Sequence, residues 1–218
     1  MSPAPLSQTA EDYLKEIYKL ESEHGRATTS ALAASRGVSP PSVTSMLKKL
    51  AALKLVVHER YRGVTLTATG RKAAVEVVRH HRLLEQYLAE TLGMPIYEVH
   101  AEADRLEHAL SEELEARIDE TLGFPTHDPH GDPIPDAALN LGDDNLRPLH
   151  ALGPGERSTV RRVPDDTELL RYLRGLGLLP GAAVELVRTE PFEGPVTVVT
   201  EGAERAIAFE LADQIRVT

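Results

Sequence analysis

His100, Asp104, Glu107 and His108 stand at i, i+4, i+7 and i+8 in the run VHAEADRLEHALSEEL, and His81 and Glu85 stand at i, i+4 in RHHRLLEQYL. On helices these spacings bring side chains of adjacent turns onto one face. Two such helices packed together would converge five or six nitrogen and oxygen donors, which is the chemistry of a divalent cation site. A single His–Glu pair on a helix is an ordinary solvated contact of about 0.2–0.5 kcal/mol, and Arg105 beside Asp104 and Glu107 offers an intrahelical ion pair instead. Clustering is what points to metal: three of the nine histidines lie in these two segments beside carboxylates. His24, His58, His80, His127, His130 and His150 read as surface residues. The chain has no cysteine, which excludes disulfides, zinc–thiolate fingers and Cys-ligated iron–sulfur clusters. Any metal is therefore held by nitrogen and oxygen.

The elements that must carry these residues follow from periodicity. Tyr13, Leu14, Ile17, Tyr18 and Leu20 predict a helix over 10–20, closed by Gly25. Residues 28–36 predict a short helix capped by Thr28 or Thr29, and Gly37 a tight turn. Ser39-Pro40-Pro41 opens a third helix, Ser39 as cap and proline where no useful donor is lost. Its apolar stripe is Val43, Met46, Leu47, Leu50 and Leu53. Strands at 55–57 and 64–66 flank Tyr61-Arg62-Gly63 as a hairpin. Thr67 or Thr69 caps a long helix over about 70–90, and 96–120 reads as one further helix. Residues 123–155 are rich in Pro, Gly and Asp and read as a linker, a mobile tether. From about 156, short β-type runs around a helix at 167–174 predict a small barrel.

Helix, glycine turn, second helix and basic-tipped hairpin make a winged helix-turn-helix, whose third helix presents its first residues to a major groove. Those residues are Ser39, Pro41, Ser42, Thr44 and Ser45. Small hydroxyls reach phosphates and base edges, and a proline ring can touch a thymine methyl. None is a bidentate Arg or Asn, so modest direct readout with some reading of DNA shape is expected. Lys48, Lys49, Arg60 and Arg62 are candidate phosphate contacts. A formal net charge of −10 looks wrong for DNA until it is divided. Residues 26–82 hold eleven Lys/Arg against two acids, and residues 83–218 eleven against twenty-seven. A basic head can collect phosphates while the remainder repels them.

An apolar content of 41% suffices for a core, and no run of eighteen apolar residues indicates a membrane span. The first twenty residues lack a basic start followed by an apolar block, so no signal peptide and a cytoplasmic location are expected.

Residues 8–141 resemble the diphtheria toxin repressor family, including its manganese-regulator branch. The matching stretches are EDYLKEIYKL, SPPSVTSMLKKL, the wing with LTATGRK, HHRLLE, VHAEADRLEH and HGDPIP. The resemblance implies a dimeric, divalent-metal-activated repressor of metal-uptake genes, bound to palindromic operator DNA. It implies a primary metal site of Asp12, Asp104, Glu107 and His108, and an ancillary site of His81, Glu85 and His100. The iron-responsive branch has Met and Cys where this chain has Asp12 and Asp104, whereas the manganese branch has acids at both. That branch often carries another acid one turn further on, where this chain has Lys15. The C-terminal stretch GLLPGAAVELV resembles the family's SH3-like, ferrous-transport-A-type domain, which in iron-responsive relatives lends two ligands to the ancillary site. Asp166 aligns with one of them and Leu169 with the other; Asp165 or Glu168 are substitutes. Hard carboxylates and imidazoles without sulfur suit manganese, with ferrous iron second.

The expected fold is mainly α with β. It has a winged helix-turn-helix at 1–73, a helical metal-binding and dimerisation domain at 74–141, a linker at 142–155 and an SH3-like barrel at 156–218. Two other readings remain: a metallohydrolase activating water on the His/Asp/Glu cluster, and a winged-helix regulator of an organic ligand. The basic N-terminal half, which a hydrolase does not need, weighs against the first. An aromatic content of 4% and the lack of an apolar pocket pattern weigh against the second.

Overall fold

The computed structural model describes residues 6–59, 62–142 and 144–218. Arg60 and Tyr61, a candidate phosphate contact and part of the wing signal, lie outside them. The described residues form two compact units, one of those within 6–80, 107–110 and 135–140, the other of those within 81–106, 111–134 and 141–218.

In the first unit, α1 (Gln8–His24), α2 (Thr29–Arg36) and α3 (Pro40–Ala52) precede the hairpin β1 (Val56–Glu59) and β2 (Gly63–Leu66). Each helix start is capped, Thr28 and Ser39 as expected and Ser7 in addition: their side chains accept the N–H of Ala31, Ser42 and Ala10. The hairpin pairs Val56 with Leu66 through Glu59 with Gly63, and Ala27 bridges Val64 as an isolated antiparallel pair. Leu14, Ile17, Leu32, Val43, Leu47 and Leu50 are fully buried in one core. Glu21 ties the parts together: Oε1 accepts the Leu66 N–H at 2.8 Å and Oε2 an Arg71 N–H at 2.7 Å. α4 (Ala68–Glu90) then starts on Thr67, whose hydroxyl accepts the Gly70 N–H. A Cβ at Gly70 would lie 1.9 Å from the Leu55 carbonyl oxygen, so only glycine lets the helix begin against the wing.

The second unit holds the end of α4, then α5 (Ile96–Leu106) and α6 (Glu112–Thr121). The helix expected over 96–120 is interrupted. Glu107–Ala109 form a tight 3-10 turn, and Ser111 caps a fresh helix by accepting the Leu114 N–H. A serine able to bond the backbone competes with helix continuation.

The C-terminal module is an antiparallel sheet in the order β3 (Arg147–Pro148), β8 (Arg216–Val217), β4 (Arg157–Arg162), β5 (Ala183–Thr189), β6 (Val196–Thr200), β7 (Ala203–Ile207), with α7 (Thr167–Leu176) and α8 (Phe209–Gln214). The expected linker is shorter than 142–155 and the tether is not loose. β3 and the buried Leu149 and Leu152 belong to the module's core. Ile96 and Tyr97 of α5 pack on that core, and Arg174 donates to the Tyr97 hydroxyl at 3.1 Å. The 123–134 stretch is pinned as well, with Arg82 donating to the Pro133 carbonyl at 2.6 Å. No helix among the described residues is long and apolar enough to cross a membrane.

Candidate metal centres and nucleic-acid interface

Two groups of ligand-type side chains assemble, one in each unit. In the first unit α1 presents Glu11 and Asp12, and the 3-10 turn presents Glu107 and His108. His108 is the hub: Nδ1 lies 2.7 Å from Glu11 Oε2, and Nε2 lies 2.8 Å from Asp12 Oδ1 and 3.5 Å from Glu107 Oε1. One donor atom each from Asp12, Glu107 and His108 falls within 4.8 Å of the others. The outer carboxylate oxygens are held by cations. Lys15 Nζ reaches Glu107 Oε2 at 2.8 Å, and Arg36 Nη2 reaches Asp12 Oδ2 at 2.6 Å. Glu107 is almost fully buried, and a buried carboxylate requires such compensation.

In the second unit Glu85 is the hub. Its Oε1 lies 2.8 Å from His81 Nε2 and 3.1 Å from His100 Nδ1; its Oε2 lies 3.6 Å from His130 Nδ1. Asp165 faces the same two sides, Oδ2 at 2.5 Å from His100 Nδ1 and Oδ1 at 3.4 Å from His130 Nε2. Donor atoms of His81, Glu85, His100 and Asp165 lie within 4.8 Å of one another, as do those of Glu85, Asp128 and His130. Asp104, expected in the primary site with Asp12, Glu107 and His108, shares no ligand group with Asp12 or His108 among the described residues; it is half exposed, 3.3 Å from His81 Nδ1 and 3.5 Å from His100 Nε2.

The loop carrying His130 is built for the purpose. Asp128 Oδ1 accepts the N–H of His130 and of Asp132, both at 2.9 Å, and the His130 carbonyl accepts the Val163 N–H. Gly131 (φ 91°) lies so close to the chain that a Cβ would sit 1.8 Å from the Arg161 carbonyl oxygen. His130 is thereby driven fully inside, and its Nδ1 is buried without a hydrogen-bond partner. An orphaned imidazole nitrogen facing carboxylates is what a ligand lacking its cation looks like. The residues present therefore fit a divalent ion.

The electrostatics agree. Asp165 first, then Glu85, hold the His100 imidazole protonated up to about 10. Burial alone would pull His130 down, but the negative charge of Glu85 at 3.6 Å, and behind it Asp165 and Asp128, push it to about 9. Burial would raise Glu85 too, yet the surrounding imidazoles, His81 foremost, keep it well below the usual carboxylate range. Asp128 is pushed up to about 7 by burial and by the negative charges of Glu85 and Asp132. Protons occupy this centre when no cation does, and a metal must displace them.

Several expectations need correction. Asp166 is an exposed helix cap whose Oδ1 accepts the Leu169 N–H at 2.8 Å; its neighbour Asp165 is the residue turned toward the histidines. His130 is not a surface residue but buried, and His80 is half-buried with Nδ1 3.2 Å from the Glu107 carbonyl oxygen. Glu11 and Asp128 carried no signal of helical spacing. The His130 turn could have been found from Asp128-Pro-His-Gly-Asp132, where acids flank a histidine before a glycine.

On the DNA side, Ser39 and Ser42 hydroxyls lie 2.9 Å apart, and Thr44 Oγ1 donates to the Pro40 carbonyl. Pro41, Ser42, Ser45, Lys48, Lys49 and Arg62 are exposed. Arg26 donates to the Arg62 carbonyl at 3.2 Å, bracing the wing. A concave surface between wing and helices is lined by Arg26, Thr28, Ser30, Pro40, His58 and Arg62.

Comparison with known proteins agrees with this arrangement. Residues 5–64 match the iron dependent repressor N-terminal DNA binding domain, residues 67–136 the iron dependent repressor metal binding and dimerisation domain, and residues 147–218 the FeoA domain. The chain is 35% identical to the iron-dependent repressor IdeR of Mycobacterium tuberculosis, over 97% of each chain. It is 31% identical to the diphtheria toxin repressor of Corynebacterium diphtheriae, also over 97% of each. A manganese-dependent transcriptional repressor solved with manganese is similar at a TM-score of 0.86 and 40% identity, covering 96% of this chain and 99% of that one. ScaR with bound cadmium is similar at 0.82 and 35%, covering 96% and 98%. These are DNA-binding repressors and not enzymes, which decides against the hydrolase reading. With winged helix, dimerisation helices and SH3-like module all matched, the chain belongs to the diphtheria toxin repressor family of metal-dependent transcriptional repressors.

Proposed function

We propose that this repressor answers to manganese, with ferrous iron as the second choice, and that it does so in the cytoplasm, on genes of metal uptake. The observation that carries the reading is the donor set. Every candidate ligand in both centres is a carboxylate or an imidazole, and hard oxygen-rich sets suit manganese and iron over copper and zinc. Raw affinity still rises along the series, so selectivity has to come from geometry and supply. Asp12, Glu107 and His108, with Glu11, form the gating centre. His81, Glu85, His100, Asp104 and Asp165, with His130 and Asp128, form the second. Ser39, Pro41, Ser42, Thr44 and Ser45 read the operator, and Lys48, Lys49, Arg60 and Arg62 hold its phosphates. The working form is a homodimer on a palindrome, since one winged helix covers one half-site. Leu92, Leu106, Leu114 and Phe124, large apolar side chains left exposed in the matched dimerisation segment, support a second copy there.

The test is fluorescence anisotropy on a DNA site selected from a random library by the manganese-loaded protein. It is run with manganese, ferrous iron, zinc and excess chelator, on the wild type and on Asp12→Ala. Manganese should give the largest gain at matched free-ion concentration, and Asp12→Ala should lose the gain. Equal binding in chelator, or full stimulation of Asp12→Ala, overturns the reading.

A further inference from the structure

Asp12 turns its two carboxylate oxygens in opposite directions. Oδ1 lies 2.8 Å from His108 Nε2, inside the ligand group, and Oδ2 accepts from Arg36 Nη2 at 2.6 Å. Arg36 is the last residue of α2. Gly37 follows at φ 62° and returns its N–H to the Ala33 and Ala34 carbonyls, Val38 returns its N–H to Ala33, and Ser39 caps α3. The guanidinium therefore belongs to a residue three positions ahead of the recognition helix's cap, Ser39, while gripping a candidate metal ligand 24 positions away. It is steadied from the side by the Tyr13 ring, 5.5 Å from its centre. An arginine in a last helical turn is favourable simply as a cation near free carbonyls. That role needs no reach to α1, and the hydrogen bond to Asp12 is not explained by it.

The geometry points to Arg36 as the residue through which occupancy of the Asp12–Glu107–His108 centre reaches the helix-turn-helix turn. The inference rests on the reading of that centre as the gating metal site. Rotation about the last side-chain torsion of an aspartate is soft and nearly twofold. With an imidazole rather than a cation at Oδ1, an exchange of the two oxygens breaks the hydrogen bonds to His108 and Arg36 but no metal bond, and each exchange disturbs the grip of Arg36. Once Oδ1 is committed to a cation, Oδ2 is presented in one direction, Arg36 has one partner geometry, and residues 36–39 are ordered with it. A ligand shifts a conformation only by its differential interaction with two states, and the carboxylate–guanidinium bond supplies that difference at the turn. Lys15 grips Glu107 rather than Asp12, and it sits within α1 itself.

The experiment uses the full chain with manganese. DNA affinity is measured with manganese and with chelator for the wild type, Arg36→Ala, Arg36→Gln and Arg36→Lys, alongside manganese titration by calorimetry and amide hydrogen exchange at Gly37 and Val38. In Arg36→Ala and Arg36→Gln, manganese should still bind within a few-fold of wild type, and its stimulation of DNA binding should fall by about tenfold. Manganese should slow exchange at Gly37 and Val38 in the wild type and not in these variants. By reciprocity the enhancement of manganese affinity by DNA should fall by the same factor. Arg36→Lys, with the charge but not the planar fork, should fall between. Stimulation equal to wild type in Arg36→Gln overturns the inference. So does a loss of DNA affinity equal with and without manganese, which would make Arg36 a plain phosphate contact. A wild type that neither binds nor responds to manganese overturns the gating-site reading itself, and the inference with it.

Discussion

Asp165 and Asp166 are adjacent carboxylates with different tasks, and substituting each in turn separates them. Asp166 closes the N-terminus of α7 with one hydrogen bond at 2.8 Å to Leu169 and is exposed. Its replacement by alanine should cost about 0.5–2 kcal/mol, the range for a lost cap, which in a chain of this size lowers the midpoint by about 2–4 °C per kcal/mol. Manganese affinity should stay within a few-fold. Asp165→Ala removes a carboxylate facing two imidazoles, at 2.5 Å from His100 and 3.4 Å from His130. A lost supporting partner of a metal ligand already costs about 10–100-fold in affinity, and a lost ligand at least that. The pH dependence gives the sharper signature. With His100 titrating at about 10 and His130 at about 9, binding between pH 6 and 8 must expel both protons. The logarithm of manganese affinity should therefore rise by about two per pH unit in the wild type. Asp165 is the main cause of the His100 shift, with Glu85 second, so in Asp165→Ala the slope should fall below the wild-type value. Calorimetry in two buffers of different ionisation enthalpy counts these protons directly. The reasoning fails if Asp166→Ala loses manganese affinity as Asp165→Ala does, or if the proton count is unchanged in Asp165→Ala.

Three further outcomes are expected. Metal-free protein should be more stable at pH 6 than at pH 10 by chemical denaturation. The raised values of His100 and His130 mean that their stabilisation is complete below the unfolded value of 6.5 and is lost as pH climbs through about 9 and 10. Lys15→Met should remove one cationic partner of the buried Glu107 and destabilise metal-free protein by about 1–3 kcal/mol, a deficit that scanning calorimetry should find reduced by saturating manganese. Lys48→Ala and Lys49→Ala should weaken DNA binding uniformly across sequences, each phosphate contact removed taking about 0.9 from the slope of log affinity against log salt.

The head was legible in the sequence because its signals are local. Ser39-Pro40-Pro41, Gly37 and the Val43–Leu47–Leu50 stripe each act within a turn or two of chain. The capping at Thr28 and Thr67 follows the same logic. The histidine pair His81 and His100 was legible because both precede a carboxylate by four positions. The burial of His130 and the choice of Asp165, named only as a substitute, over Asp166 are not legible, because long-range contacts decide them. One peptide decides whether a carboxylate caps α7 or turns toward His100, and no periodicity records that choice. His130 lies in a stretch whose Pro and Gly content reads as linker, yet Asp128 and Gly131 use that composition to make a tight inward turn. The break at Glu107 leaves no mark for a related reason: apolar spacing continues across Leu106, Leu110 and Leu114, while Ser111 starts the helix again.

The absence of sulfur from every candidate ligand has a consequence beyond ion preference. A thiolate ligand climbs an oxidation ladder under peroxide, and its higher rungs are irreversible. Carboxylate and imidazole donors offer no such path, and the chain contains no thiol at all. A switch built this way would keep reporting metal supply during oxidative stress, when a thiolate-ligated sensor would lose a ligand.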